Sequence, residues 1–141
     1  MTRQEVEALF TRRREAMAHH DADAAGSLYA MDAVVESPIA GGTVRGRDAN
    51  TAVMRTLFRA FPDVSFTLVT ILIDGDRVAE ETMMSGTDDG GFMGMPPTRK
   101  PFQIRLMSLC EVRDGAIVHE RRIYDFTGML VQIGVLRAKP A

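Results

Sequence analysis

The apolar pattern of this chain changes once, near residue 64, from helical spacing to strand-like alternation. Before that point, apolar residues recur every three or four positions in three segments, 2–20, 21–29 and 48–60. After it, β-branched and alternating residues predict four strands, at 64–73, 77–84, 102–112 and 117–126. Helices followed by two long hairpins predict an α+β fold, with an antiparallel sheet covered on one face by helices in a single domain over residues 1–141.

Local signals place the ends of these elements. Thr2 and Glu5 have the spacing of a capping box, and Asp21 is a typical cap for the second helix. Asp114-Gly115 predicts a tight hairpin turn. The segment 85–100 is rich in Gly, Pro and Asp, which predicts a loop long enough to be functional. Thr127 is the expected cap of a short C-terminal helix.

Composition narrows the classes of function. A net charge of −2 gives no electrostatic reason to expect binding to nucleic acid or to an anionic membrane. The chain has no apolar run of the roughly 20 residues that a membrane span needs. One cysteine, Cys110, excludes an internal disulfide and suits a reducing cytoplasm. No convergent set of metal ligands stands out, so we expect no metal site.

Asp125 is the first candidate for catalysis. It ends the predicted last strand between Tyr124 and Phe126, where a carboxylate can lose hydration and become a stronger base for proton transfer. Tyr124 is expected to line the same site. The alternative is a surface aspartate that closes a strand. Asp125→Asn should abolish turnover if the first interpretation is correct.

His119 is an obvious partner for Asp125 to consider, because alternate residues of a strand share a face. Six residues of strand separate the two by about 20 Å, which excludes a direct hydrogen bond within the strand. A bulge near the sheet edge would also switch the faces. His119 is therefore either a second pocket residue or an exposed histidine.

Other polar and methionine residues complete the predicted binding site. Glu36 and Glu81 lie in half-apolar runs, where a buried carboxylate needs a partner, and Arg105 could supply it or bind a substrate carbonyl. A structural ion pair is the alternative. Methionine adapts to irregular apolar ligands, although it also fills cores; the methionines predicted to line the pocket are Met83, Met95 and Met107.

Several short motifs resemble the SnoaL-like polyketide cyclases of the nuclear transport factor 2-like superfamily. Along the chain they are Phe61-Pro-Asp63, Gly86-Thr87, Gly91-Phe-Met-Gly-Met-Pro-Pro-Thr98, Val112-Arg-Asp-Gly-Ala-Ile117, Tyr124-Asp125 and Gln132-Ile-Gly134. The chain departs from the usual pattern at Arg99, at Glu80-Glu81-Thr82 and at Glu36-Ser37. Because pockets diverge most within such families, these departures bear on the substrate more than on the fold.

The resemblance implies a cone-shaped pocket, in which a strongly curved antiparallel sheet wraps around the N-terminal helices. Family cyclases close a polyketide ring by intramolecular aldol condensation with an acid/base aspartate and no cofactor, and Asp125 matches the position of that aspartate. The resemblance also implies a homodimer joined through the outward face of the sheet, and a hydrophobic small molecule as ligand.

Three functions agree with these observations. The first is acid/base chemistry of the cyclase or isomerase type on a hydrophobic small molecule. The second is binding of such a molecule without catalysis. The third, epoxide hydrolysis as in a relative of this superfamily, needs an Arg-x-Asp pair on a strand, and none of the predicted strands has Arg-x-Asp or Arg-x-Glu. The sequence therefore favours the first two, and fold alone does not choose between them.

Overall fold

The structure of the protein, a computed structural model, describes residues 1–39, 41–137 and 139–140. Its helices are α1 (Arg3–Ala18), α2 (Ala22–Gly26), α3 (Arg47–Ala60) and α4 (Phe126–Gln132). Its strands are β1 (Tyr29–Ser37), β2 (Gly42–Arg45), β3 (Ser65–Asp74), β4 (Arg77–Thr87), β5 (Pro101–Arg113) and β6 (Ala116–Ile123). The predicted α+β class is confirmed. Among the described helices, none is long and apolar enough to cross a membrane.

The six strands form one curved, open sheet in the order β2-β1-β6-β5-β4-β3. Neighbouring strands are antiparallel except for β1 and β6, which run parallel. The expectation of a purely antiparallel sheet is therefore wrong at this one pair. Pairing between β1 and β6 joins the N-terminal third of the chain to the two hairpins and makes β6 a central strand.

The first two helices begin as their capping residues predict. Thr2 accepts a hydrogen bond from the amide of Glu5, and the Glu5 carboxylate accepts one from the amide of Thr2 in return. Asp21 accepts from the amide of Ala24. The second helix is shorter than predicted, because Tyr29 starts strand β1 and its ring is completely buried under α1.

Helix α3 turns a different stripe inward from the one predicted. Ala52 is exposed, whereas Asn50, Met54, Leu57 and Ala60 are buried. This buried stripe includes the polar Asn50, whose neighbour on β6, Arg122, is also polar. Val53 and Phe58, also predicted to face inward, are half-buried.

The end of β6 decides the position of Asp125. The strand stops at Ile123, three residues earlier than predicted, and Asp125 becomes the cap of α4 by accepting a hydrogen bond from the Gly128 amide at 2.8 Å. Thr127, the predicted cap, lies inside this helix. The Asp114-Gly115 turn is confirmed, with φ angles of 51° and 81° that suit a tight hairpin.

One face of the sheet packs on the helices, and alternation along each strand selects which residues reach it. On β4 these are the even-numbered residues Val78, Glu80 and Met84, and on β5 they include Ile104 and Ser108. A bulge in the β5–β6 pairing exchanges the faces of odd- and even-numbered residues along β6. For this reason the odd-numbered Ile117 and the even-numbered Glu120 are both buried.

Candidate functional site

A cavity of about 100 Å³ lies between the helices and the inner face of the sheet. Its walls are mainly apolar and come from α1, α3, three strands and the segment after β1: Met17, Ile39, Val53, Met54, Leu57, Phe66, Leu68, Met84 and Leu106. Its polar lining is formed by Arg13, Arg14, Ser37, Glu80, Thr82, Ser108, Arg122 and Tyr124. An apolar pocket with a few convergent polar groups is the usual form of a small-molecule site.

Three of the polar residues form a row across the central strands. Glu80 on β4 is directly opposite Ser108 on β5, and Ser108 is directly opposite Arg122 on β6. Adjacent strands are about 4.8 Å apart, so the row extends over about 10 Å of the cavity wall. It places a carboxylate, a hydroxyl and a guanidinium side by side. Among the described residues that line the cavity, Glu80 is the carboxylate.

Helix α1 holds the carboxylate of Glu80 from the opposite side. Arg13 Nη1 donates to Glu80 Oε1 at 3.0 Å, and Arg14 Nη1 donates to Glu80 Oε2 at 3.1 Å. The Glu80 side chain is almost fully buried, whereas that of Arg14 is 35% exposed and lies at the mouth of the cavity. Helix α1 therefore fixes both carboxylate oxygens of Glu80 through separate guanidinium groups.

Behind this row lies a buried carboxylate, Glu120. Arg122 binds it through two hydrogen bonds, of 2.9 and 3.0 Å, and Arg13 Nη2 donates to it at 2.5 Å. The Tyr29 hydroxyl donates to its other oxygen. Burial alone raises the pKa of Glu120, but the positive charges of Arg122 and Arg13 outweigh burial and bring it to about 2. Glu120 is therefore ionised at neutral pH.

Tyr124 directly follows β6 and lines the cavity. The hydroxyl accepts a hydrogen bond from the Ile39 amide at 3.0 Å. Burial raises the pKa of Tyr124, and hydrogen bonds from Ser37 and Ile39 only partly offset this effect. The phenol therefore stays protonated at neutral pH.

The Asp125 carboxylate does not line this cavity. It is exposed, and one of its oxygens caps α4. The geometric reason is that β6 ends two residues before Asp125, so the strand no longer directs its side chain. Arg121 and Ile123, at the end of β6, are exposed as well.

Tyr124 is the predicted site residue that lines the cavity; the other predicted residues lie elsewhere. Glu81 and Arg105 form an ion pair of 3.2 Å outside the cavity, with Arg105 largely exposed. Glu36 accepts from His119 at 2.7 Å and from Arg121 at 3.1 Å, in a surface cluster. The three predicted methionines are outside the cavity lining as well: Met83, Met95 and Met107.

The physical reason is strand parity. On β4, Glu81 and Met83 alternate with the cavity residues Glu80, Thr82 and Met84. The side chains of Glu81 and Met83 therefore lie on the opposite face of the sheet. One signal for the missed residues was present in the sequence. Arg13 continues the apolar stripe of α1, and an arginine in a buried stripe requires buried acceptors.

Metal binding has no obvious place in this arrangement. The described residues contain no group of three or more His, Cys, Asp or Glu side chains placed to hold a metal ion. The carboxylates nearest the cavity, Glu80 and Glu120, are instead bound by arginines.

The family model of SnoaL-like polyketide cyclases matches residues 7–133. The chain belongs to the SnoaL-like polyketide cyclase family. This family lies in the nuclear transport factor 2-like superfamily, as the sequence motifs indicated. No curated protein matches the sequence.

Solved structures agree with this membership. IdmH from Streptomyces antibioticus, a proposed polyketide cyclase, is 32% identical with a TM-score of 0.76, covering 91% of this chain and 97% of that one. AclR from Streptomyces galilaeus, a proposed hydroxylase, is 26% identical with a TM-score of 0.83, and the match covers 99% of this chain and 87% of AclR. A SnoaL-like protein from Jannaschia is 21% identical with a TM-score of 0.81, and the match covers 95% of this chain and 94% of that one. At this identity the similarity supports the fold alone.

Proposed function

We propose that the protein is an acid/base enzyme that acts on a hydrophobic small molecule next to a carbonyl group, by aldol closure or by proton transfer. The observation that carries this proposal is the row Glu80-Ser108-Arg122 on the wall of a mainly apolar cavity. Membership of a cyclase family and the similarity to IdmH agree with it.

The proton-transfer step is assigned to Glu80. Its carboxylate takes a proton from the carbon next to the ligand carbonyl, and the electron pair of that C–H bond becomes an enolate. In an aldol closure the enolate carbon attacks a second carbonyl of the same molecule, and the new alkoxide takes the proton back from Glu80. No other reactant is needed, and one carboxyl group serves as base and then as acid.

The enolate oxygen needs hydrogen-bond donors, because negative charge develops on it as the proton leaves the neighbouring carbon. The Ser108 hydroxyl lies beside Glu80 in the row, and the Tyr124 phenol is protonated and faces the cavity. Donors already oriented in an apolar site stabilise developing negative charge strongly. We therefore assign these two hydroxyls to the oxygen of the ligand.

Asp125 remains the alternative acid/base, as the family resemblance implied. Its carboxylate is exposed outside the cavity and caps α4 through one oxygen, so it would have to be brought to the ligand. Glu80 needs no such rearrangement, since it already lies on the cavity wall.

Binding without catalysis is the second candidate function, and one observation favours it. Both carboxylate oxygens of Glu80 already accept hydrogen bonds from arginines, so the carboxylate has a structural role that does not require proton transfer. A binder of the same fold would keep the cavity and dispense with proton transfer.

Hydrogen exchange separates these candidates without knowledge of the natural substrate. 2-Tetralone is a hydrophobic ketone with acidic hydrogens next to its carbonyl, and their replacement by deuterium in D₂O is followed by NMR. We expect the protein to accelerate this exchange and Glu80→Gln to reduce the acceleration by about 100-fold or more, within the range typical of a lost general base.

Glu81→Gln is the matched control, since Glu81 is the next residue on β4 and pairs with Arg105 outside the cavity. It should exchange like the wild type. Thermal unfolding of both variants checks that they fold. Binding of 2-tetralone without acceleration of exchange would support the binder, and full activity of folded Glu80→Gln would refute the role of Glu80.

We also propose that the protein forms a homodimer through the outer face of its sheet. Large apolar side chains are exposed there: Leu72, Met107, Leu109 and Ile123. Met107 and Ile123 are direct cross-strand neighbours, and Leu109 is two residues further along β5 on the same face. An apolar patch on a sheet is a common site of self-association.

A further inference from the structure

Thr82 is a polar residue in an otherwise apolar part of the cavity wall. It lies on β4, two residues from Glu80 and two from Met84, and all three line the cavity. Its cross-strand neighbours are Leu68 on β3 and Leu106 on β5, and both line the cavity as well. Two residues of strand place Thr82 about 7 Å from Glu80. Thr82 is therefore a second polar position, separate from the row that begins at Glu80.

The hydroxyl of Thr82 differs from those of other threonines in its contacts. The Thr51 hydroxyl donates to the Arg47 carbonyl at 2.9 Å, and the Thr87 hydroxyl donates to Asp63 at 2.7 Å. The Thr82 hydroxyl forms no hydrogen bond with any residue that the structure describes, and it is not sealed inside the wall. It therefore opens on the cavity, where a bound molecule can reach it.

A ligand that fills the cavity removes water from this hydroxyl. A purely apolar ligand would leave the hydroxyl without a hydrogen bond between two leucines, at a cost in binding free energy. An oxygen atom of the ligand avoids this cost, because a threonine hydroxyl both donates and accepts. The wall at Thr82 therefore favours a ligand that has an oxygen at this position.

The ligand oxygen expected at Thr82 is uncharged. Each described arginine that lines the cavity is joined to a carboxylate, either Glu80 or Glu120. A charged group of the ligand at this position would have leucine side chains on both sides of Thr82. A hydroxyl, a ketone or an ester carbonyl needs no charged partner, and one hydrogen bond satisfies it.

We propose that Thr82 selects ligands with a second uncharged oxygen group, remote from the carbonyl at which Glu80 acts. Thr82 and Ser108 are diagonal neighbours on β4 and β5, about 7–8 Å apart. The two ligand oxygens are therefore separated by about the length of a fused two-ring skeleton. This inference rests on the cavity being the ligand site of the proposed function, and it assigns specificity to Thr82.

The test compares 2-tetralone with 6-hydroxy-2-tetralone, which differs by a hydroxyl on the ring remote from the ketone. Isothermal titration calorimetry gives the ratio of their affinities for each protein variant. The wild-type protein should bind the hydroxylated ketone about fivefold more tightly, as expected for one neutral hydrogen bond. Thr82→Val keeps the branched shape without the hydroxyl, and it should lose this preference.

Two further variants are controls. Thr82→Ser retains the hydroxyl and should retain the preference. Thr67→Val changes an exposed threonine of β3, next to Leu68 but on the opposite face, and should bind both ketones like the wild type. Thermal unfolding shows whether each variant folds, and Thr82→Ala replaces Thr82→Val if the latter does not. An unchanged affinity ratio in the folded variant, or no binding of either ketone to the wild type at millimolar concentration, would overturn the proposal.

Affinity is measured here without turnover, so this proposal and the proposed function fail separately. A preference that depends on Thr82, without accelerated exchange of 2-tetralone hydrogens, would support the assignment of Thr82 and refute the enzymatic function. Accelerated exchange with no preference for the hydroxylated ketone would do the reverse.

Discussion

Arg13 on helix α1 donates to Glu120 on strand β6 at 2.5 Å, across 107 positions of the chain. This contact joins the first helix to the last strand beneath the cavity. The same guanidinium also reaches Tyr29 at 3.1 Å and Glu80 at 3.0 Å. Because these partners come from three different strands, Arg13 fixes the helix against the sheet at the polar side of the candidate site.

The buried carboxylate of this contact predicts how stability depends on pH. The pKa of Glu120 in the folded protein is about 2, below its ordinary value of 4.5. Because this pKa is lowered on folding, the ionised carboxylate stabilises the fold fully at pH values above the ordinary pKa of 4.5. The stabilisation is lost as the pH falls from about 4.5 toward 2. We expect the free energy of unfolding, measured in urea, to decrease over this range.

Glu120→Gln should be less stable than the wild type at pH 7 and should show a weaker decrease on acidification. Glu111→Gln, in which a partly exposed glutamate of β5 is changed, is the control and should follow the wild type. A Glu120→Gln variant with the same acid dependence as the wild type would contradict the assignment.

Asp125 provides the sharpest test between the two acid/base candidates. Asp125→Ala removes the cap of α4 and should lower the free energy of unfolding by about 1 kcal/mol. Asp125→Ser keeps a capping oxygen and should restore most of this stability. Both variants should retain the exchange of 2-tetralone hydrogens. If Asp125→Ser folds like the wild type but loses exchange, Asp125 is catalytic and Glu80 is not the base.

Tyr124→Phe should lower the rate of exchange about 100-fold or more, since removal of one oriented donor weakens stabilisation of the enolate oxygen. The affinity for 2-tetralone should change much less, because the ring still fills the same space. Tyr29→Phe is an instructive comparison, since the Tyr29 hydroxyl is buried against Glu120 and lies behind the cavity wall. Tyr29→Phe should lower the free energy of unfolding measured in urea. The fraction of this variant that is folded should exchange at the wild-type rate.

The proposed dimer predicts a mass of twice the chain by analytical ultracentrifugation. Ile123→Glu places a charge in the exposed apolar patch of the outer sheet face, opposite Met107, and should produce monomers. Met31→Glu is the matched control, because Met31 is equally exposed but lies on β1, near the other edge of the sheet. A wild-type protein that sediments as a monomer at 100 μM would contradict the proposal.

Much of the local structure could be predicted from the residues. The capping box at Thr2, the cap at Asp21, the Asp114-Gly115 turn and the change from helices to hairpins each depend on neighbours a few positions away. The family motifs, which lie along most of the chain, identified the fold and the family correctly. These features are encoded locally or by similarity, so contacts between distant segments were not needed to find them.

The candidate site required distant contacts. Glu80 and Glu81 are adjacent acids in a half-apolar strand, and the sequence alone does not say which faces the helices. Pairing of β4 with β5 and packing under α1 place Glu80 inside, beside Arg13 and Arg14, and leave Glu81 with Arg105 outside. The same applies to β6, where a bulge sets the parity that puts Glu120 inside and His119 near the surface.

The sequence by itself determined the α+β class and most element boundaries, because these follow from periodicity, capping and turn chemistry, and its motifs identified the family by resemblance. Only the tertiary structure decided which alternate residues of each strand line the cavity and where β6 ends. A shift of one residue moves every side chain of a strand to the opposite face. For that reason the carboxylate on the cavity wall is Glu80, and Asp125 is the cap of a helix.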